Sequence, residues 1–236
     1  TTEIYTLSLH DALPISQIPD TDLYFELAFT GSLNTTLSLP GVQSHLLATE
    51  ESLYTTAYLA YLDGVDGISA FNFVYYRNGV FRNEPPFYVF NHLNDKDWIA
   101  GQPQHYLIGD TYNVANETYN QMPRVFNAGT SYNFTMRMEP PTGGWTTDGK
   151  LRIFCEAAIT GTSWTAKFNG VTLTASADVS EPYPHDYLNG STGIPEQYRA
   201  WIVPVSLVHS GNNTINIKLD SGSVSPRVMF IDLAIQ

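Results

Sequence analysis

Between Thr49 and Tyr76 the chain reads TEESLYTTAYLAYLDGVDGISAFNFVYY, and this stretch narrows the possible folds more than any other. Leu53, Ala57, Ala60 and Tyr61 recur at helical spacing, Thr49 carries the hydroxyl of an N-cap residue, and Glu50 and Glu51 place negative charge on the first turn. Gly64 ends this predicted helix. After Val65-Asp66-Gly67, the run Ile68 to Tyr76 is almost wholly apolar or aromatic, which predicts a strand covered on both faces and therefore parallel to its neighbour. A helix feeding straight into such a strand is half of a βαβ unit. Strand alternation puts Ile68, Ala70 and Asn72 on one face and Ser69, Phe71 and Phe73 on the other, so the Asn72 amide sits late in a buried strand.

Upstream, LYFELAFT (Leu23 to Thr30) reads as a second parallel strand with one carboxylate, Glu26, inside it. A charge within an apolar run has either a functional reason or an edge strand that turns it to water. The loop of residues 31–48, with Pro40-Gly41 and His45, connects this strand to the helix. Downstream, Glu84-Pro85-Pro86 opens a predicted helix through Phe87, Phe90 and Leu93, which Asn94-Asp95 ends.

From His105 the period changes. Tyr106 to Ile108, Tyr132 to Met138, Leu151 to Ile159, Trp164 to Phe168, Val171 to Leu173, Ala200 to Val208, Thr214 to Leu219 and Val228 to Ile235 are short strand-like runs divided by Gly, Pro, Asn and Asp. That spacing predicts an antiparallel β-sandwich. Asn169-Gly170 between two such runs is a hairpin signal, because both residues accept the positive φ of a type I′ turn.

Two resemblances rest on these residues. Asp63-Gly64-Val65-Asp66-Gly67-Ile68 followed by Phe71-Asn72-Phe73 resembles the closing unit of glycoside hydrolase-like (β/α)8 barrels from bacteria. The hairpin at Asn169-Gly170, Trp201-Ile202-Val203-Pro204 and Ser210-Gly211-Asn212-Asn213-Thr214-Ile215 resemble galactose-binding-like jelly-roll modules that recur in such enzymes. Together they imply an α/β plus all-β chain: a truncated (β/α)8 barrel segment over residues 17–104, followed by an antiparallel jelly-roll sandwich over residues 105–236. They imply a carbohydrate-active enzyme, with Glu26 on strand seven as the carboxylate nearest the chemistry. Asn72 and Tyr75 on strand eight, and His45 in the top-face loop, then form the substrate-binding set. A glycosidase needs two carboxylates across the scissile bond. This chain offers one, so its partner is expected upstream and the fragment alone is expected to be inactive. The alternative is a non-catalytic module that binds glycans or braces a larger protein, with Tyr183 and Tyr187 in the loop Glu181 to Tyr198 as glycan contacts.

The first sixteen residues, TTEIYTLSLHDALPIS, resemble a translated sequencing adaptor and are set aside from the fold. The other reading is a native segment with Leu7-Ser8-Leu9 as a strand edge. A net charge of −12 argues against nucleic acid or an anionic membrane as partner. Aromatics make up 13% of the chain against only 14% charged residues, a balance that suits a β-rich core and also a surface on which sugar rings stack; an extracellular or periplasmic location is the expectation. The single cysteine, Cys155, lies in an apolar run and reads as an inert core residue. There is no phosphate-binding glycine loop, no metal-spaced Cys or His pair and no Gly-x-Ser-x-Gly, so neither cofactor nor metal is expected. The six histidines are scattered and read as surface or internally satisfied residues.

Overall fold

A computed structural model describes residues 22–28, 30–32, 45–71, 73, 86–109, 121–183 and 193–236. Strand β1 (Tyr24–Ala28) is followed by a small antiparallel ladder of β2 (Thr30–Ser32) and β3 (His45–Leu47), then helix α1 (Glu50–Leu62) and strand β4 (Gly67–Phe71). β1 and β4 pair in parallel with Glu26 opposite Ser69, so the strand–helix–strand arrangement expected from the sequence is present. The described residues contain this one parallel pair, and they show no closed barrel.

Helix α1 forms where the sequence predicts it. Thr49 Oγ1 accepts the Ser52 N–H at 3.0 Å, Glu50 and Glu51 occupy the first turn, and Gly64 takes φ 90° to turn the chain out. Phe25 and Leu27 of β1, Ile68 and Ala70 of β4, and Leu53, Tyr54 and Ala57 of α1 close one apolar cluster. Phe73 belongs to it too, with its ring 4.7 Å from that of Phe90. Of the strand predicted over Ile68 to Tyr76, the described part is Gly67–Phe71, and Phe73, expected on the face opposite Ile68 and Ala70, packs in the same cluster as they do.

The helix predicted over residues 84–93 is a 3-10 turn at Phe87–Asn91, after which a separate helix α2 (Lys96–Ala100) begins. Asp95, read as a stop, is in fact a start: its carboxylate accepts the Trp98 N–H at 3.0 Å and caps α2. Asp and Asn end one helix and begin the next with the same side chain, so a sequence leaves the two readings degenerate.

The remaining chain forms two packed antiparallel sheets from β5 (Gln104–Ile108), β6 (Arg124–Val125), β7 (Ser131–Met138), β8 (Gly149–Cys155), β9 (Ser163–Phe168), β10 (Val171–Thr172), β11 (Thr174–Ser176), β12 (Tyr198–Val203), β13 (Gly211–Ser221) and β14 (Arg227–Ile235). One sheet runs β10-β9-β13-β7 and the other β11-β12-β8-β14-β5, with β6 on the edge of β14. Phe134, Phe168, Ile215 and Ile217 of the first meet Leu151, Ile153, Trp201 and Leu233 of the second to make the main core. The Asn169-Gly170 hairpin has φ 48° and 84°, as a type I′ turn requires. Cys155 is fully buried in this core, and burial pushes its thiol pKa up to about 12.

Burial differs between the sheets in a way that locates the rest of the chain. Along β13 buried residues alternate with accessible ones, so its outer face meets water. Along β14 every residue after Arg227 is buried, and β8 is nearly as enclosed. The six-stranded sheet therefore has a covered outer face, and helix α1 lies against part of it.

Candidate functional site

Two groups of residues qualify. The first is the face of the β1–β4 pair turned away from α1. Since Phe25, Leu27, Ile68 and Ala70 face the helix, strand alternation puts Tyr24, Glu26, Gly67 and Ser69 on the opposite side. A Cβ on Gly67 would lie 2.5 Å from the Tyr24 ring, which confirms that these two share a face. Glu26 is half-buried there. His45 lies on β3 with Ser32 as its backbone partner. Asn72, Tyr75 and Tyr187 fall outside the described residues. Asp63 and Asp66 lie on either side of Gly64-Val65: Asp63 caps α1 and pairs with Arg137 of β7 at 2.7 Å, and Asp66 accepts the Leu23 N–H at 2.8 Å.

The second group sits on the covered face of the six-stranded sheet, where Arg152 of β8, Asp232 of β14 and His105 of β5 are each less than 10% exposed. Their strands are neighbours, with Asp232 directly opposite Arg152. Arg152 Nε donates to Asp232 Oδ1 at 3.1 Å and its Nη2 donates to Oδ2 at 2.5 Å. The same guanidinium donates to the carbonyls of Val179 and Ser180 and to Glu181, pinning a strap of residues 179–183 across the sheet. Burial disfavours charge on both partners, but each outweighs that for the other: the Arg152 pKa lies above its usual value, and the Asp232 carboxyl is held well below the usual carboxylate range by Arg152 and by the His105 hydrogen bond.

His105 joins this pair to helix α1. Its Nε2 lies 3.0 Å from Asp232 Oδ2 and its Nδ1 3.0 Å from Thr49 Oγ1. An ionised carboxylate only accepts, so Nε2 carries a proton, and in the neutral ring Nδ1 accepts from the Thr49 hydroxyl. Tyr183, expected as a glycan contact, closes the strap: its hydroxyl donates to the Ile235 carbonyl at 3.1 Å, and its ring meets the His105 ring edge-on with centroids 5.8 Å apart. Burial raises the pKa of that hydroxyl, and Glu51 adds to the rise.

Hydroxyl, imidazole and carboxylate in series have the composition of a nucleophilic relay, and His105, Glu181 and Asp232 have that of a metal site. The surroundings disfavour both chemistries. Thr49 is 5% exposed and its oxygen is held by the Ser52 N–H at the helix cap, so a substrate has no access to it. The cation position between Glu181 and Asp232 is filled by the Arg152 guanidinium. What the arrangement does is hold strands, strap and helix together. Of the two expectations for the histidines, surface or internally satisfied, His105 meets the second. Arg152 and Asp232 were missed, although a lone cation in one apolar run and a lone anion in another were a signal that the two meet.

No family model matches the chain, and no curated protein does. Among solved structures it is similar to a β-porphyranase of glycoside hydrolase family 86 from the human gut bacterium Bacteroides plebeius, at 14% identity and a TM-score of 0.39 over 56% of this chain and 20% of that one. The chain thus spans about one fifth of that enzyme's length. It is also similar to BuGH86 in complex with neoagarooctaose, at 15% identity and a TM-score of 0.36 over 56% and 18% of the two chains. A third likeness is to dimeric latent PorU from Porphyromonas gingivalis, at 14% identity and a TM-score of 0.31 over 57% and 12%. No helix among the described residues is long and apolar enough to cross a membrane.

Proposed function

We propose that this chain is the C-terminal part of a carbohydrate-active, glycoside hydrolase-like enzyme, in which β1 and β4 are the last two strands of a (β/α)8 barrel and the sandwich braces them. The observation that carries the reading is the position of Glu26: a carboxylate in an apolar parallel strand, on the face away from the covering helix, which in a barrel is the side that ligands reach. Glu26 then serves as nucleophile, stabilising carboxylate or acid/base with a second carboxylate ~5 to 9 Å away, contributed by upstream strands. Asn72, Tyr75 and His45 complete the sugar-binding set, and the substrate is a glycan. Extracellular or periplasmic placement agrees with the acidic, aromatic-rich composition.

For the sandwich, bracing is favoured over glycan binding. The strap that contains Tyr183 is tied down by Arg152 and by the Ile235 carbonyl, and its tyrosine ring faces His105. The test is reducing-end release from a panel of polysaccharides by the enzyme expressed with its upstream reading frame. Glu26→Gln is expected to lower turnover by ~100-fold or more without lowering the unfolding temperature. Turnover within a few-fold of wild type would make Glu26 a bystander, and the 236-residue chain alone is expected to show none.

A further inference from the structure

We propose that His105 is a positioning residue: it is the pin by which the six-stranded sheet holds the first turn of helix α1, and through that turn the whole βαβ unit. Three observations converge on it. Its side chain receives the hydroxyl of Thr49, the residue that caps α1. Its backbone N–H donates to Thr55 Oγ1 at 2.8 Å, six residues further along α1, and that hydroxyl in turn donates to the Glu51 carbonyl. Its other ring nitrogen is anchored on Asp232, which Arg152 fixes in place.

The two ends of α1 are therefore held differently. The C-terminal end rests on the Asp63–Arg137 ion pair, whose side chains are 18% and 37% exposed and which water and salt weaken. The N-terminal end rests on buried hydrogen bonds, which salt screens far less, and losing one leaves a buried polar atom short of a partner. Order imposed at this turn spreads outward. Glu50, beside the cap, accepts the hydroxyls of Tyr54 and Tyr88 at 2.8 Å each, so the 3-10 turn at Phe87–Asn91 is tied to the same point. Only the consequence for the geometry at Glu26 rests on the glycoside hydrolase reading; the pin does not.

Two near-isosteres separate the two ring nitrogens. The asparagine amide in His105→Asn occupies the Nδ1 region and can bond Thr49 but not Asp232, whereas the glutamine amide in His105→Gln reaches the Nε2 region and can bond Asp232 but not Thr49. Hydrogen–deuterium exchange on the full chain reads the result. His105→Gln is expected to speed exchange of segment 49–58 by about 3- to 10-fold, His105→Asn to keep it within ~2-fold of wild type, and neither to alter segment 211–221 in the opposite sheet. Equal acceleration in both variants, or equal acceleration of both segments, overturns the pin, because a residue that merely fills space predicts that outcome. Should the variants fail to fold, the wild-type protein and Thr49→Val carry the test through the His105 ring ¹⁵N resonances. The expected result is an Nε2–H tautomer whose Nδ1 signal moves on Thr49→Val; an unmoved Nδ1 signal overturns the proposal. Unchanged glycan turnover in Glu26→Gln would end the functional reading and leave the exchange pattern standing, so the two failures are distinguishable.

Discussion

Replacing Arg152 with methionine keeps most of the side-chain volume and removes the cation from a site that is 2% exposed. Asp232 is then left buried with His105 as its remaining side-chain partner, and Glu181 and the carbonyls of Val179 and Ser180 lose their donor. Breaking a buried pair on one side costs about 3–5 kcal/mol, because the surviving charge stays desolvated. For a chain of this size that corresponds to a fall of roughly 6–20 °C in Tm. Urea unfolding followed by tryptophan fluorescence measures it, since Trp201 is buried in the core beside β8. The pH dependence gives the cause. In the wild type the depressed Asp232 pKa contributes stability that is present above the unfolded value of ~3.9 and is lost as pH falls toward the native value of about 2. In the variant, burial without the guanidinium raises that pKa, so acid neutralises a destabilising charge and the deficit relative to wild type shrinks between pH 7 and pH 3. A deficit below ~1 kcal/mol at pH 7, or one that does not shrink on acidification, would refute the reasoning.

Other outcomes follow from single sites. Cys155, fully buried with its thiol pKa pushed up to about 12, is expected to resist a thiol-specific reagent in the native protein and to react completely in denaturant; native-state labelling within minutes would contradict that burial. Gly193→Ala is expected to destabilise by about 2–4 kcal/mol: the residue has φ 135°, and a Cβ would lie 2.6 Å from Gln197 Oε1 and 2.7 Å from Phe154 Cε2, inside the packed outer face of the sheet. Gly67→Ala has an equally short contact, but with the half-exposed Tyr24 ring, which can swing aside, so a loss below ~1 kcal/mol is expected in the same unfolding assay.

What the sequence conveyed was local. The Thr49 cap, the Gly64 exit, the Asn169-Gly170 hairpin and most strands of the sandwich were legible because each depends on the backbone preferences of adjoining residues. The parallel pairing of β1 with β4 was legible for a related reason, since an apolar run on either side of a helix has few other ways to bury both faces. The short strands at Arg124–Val125 and Thr174–Ser176 were not, because edge strands so brief carry no period. Glu26 was visible as a charge in an apolar strand, but the side it faces came only from the packing of Phe25 and Leu27 on α1.

The buried junction belongs to tertiary structure alone. Arg152 and Asp232 are 80 residues apart and His105 and Asp232 127 apart, and nothing within a few residues of any of them requires the others. They meet because β5, β14 and β8 are neighbours in one sheet, and register sets Asp232 against Arg152. Shifting β14 by one residue would turn Asp232 into the apolar core, and the cost of an unpaired buried charge excludes that register. The sequence by itself determined where helices and strands form; the pairing of distant strands decided which face is covered, which charges meet, and that the N-terminal end of helix α1 meets the sandwich at His105.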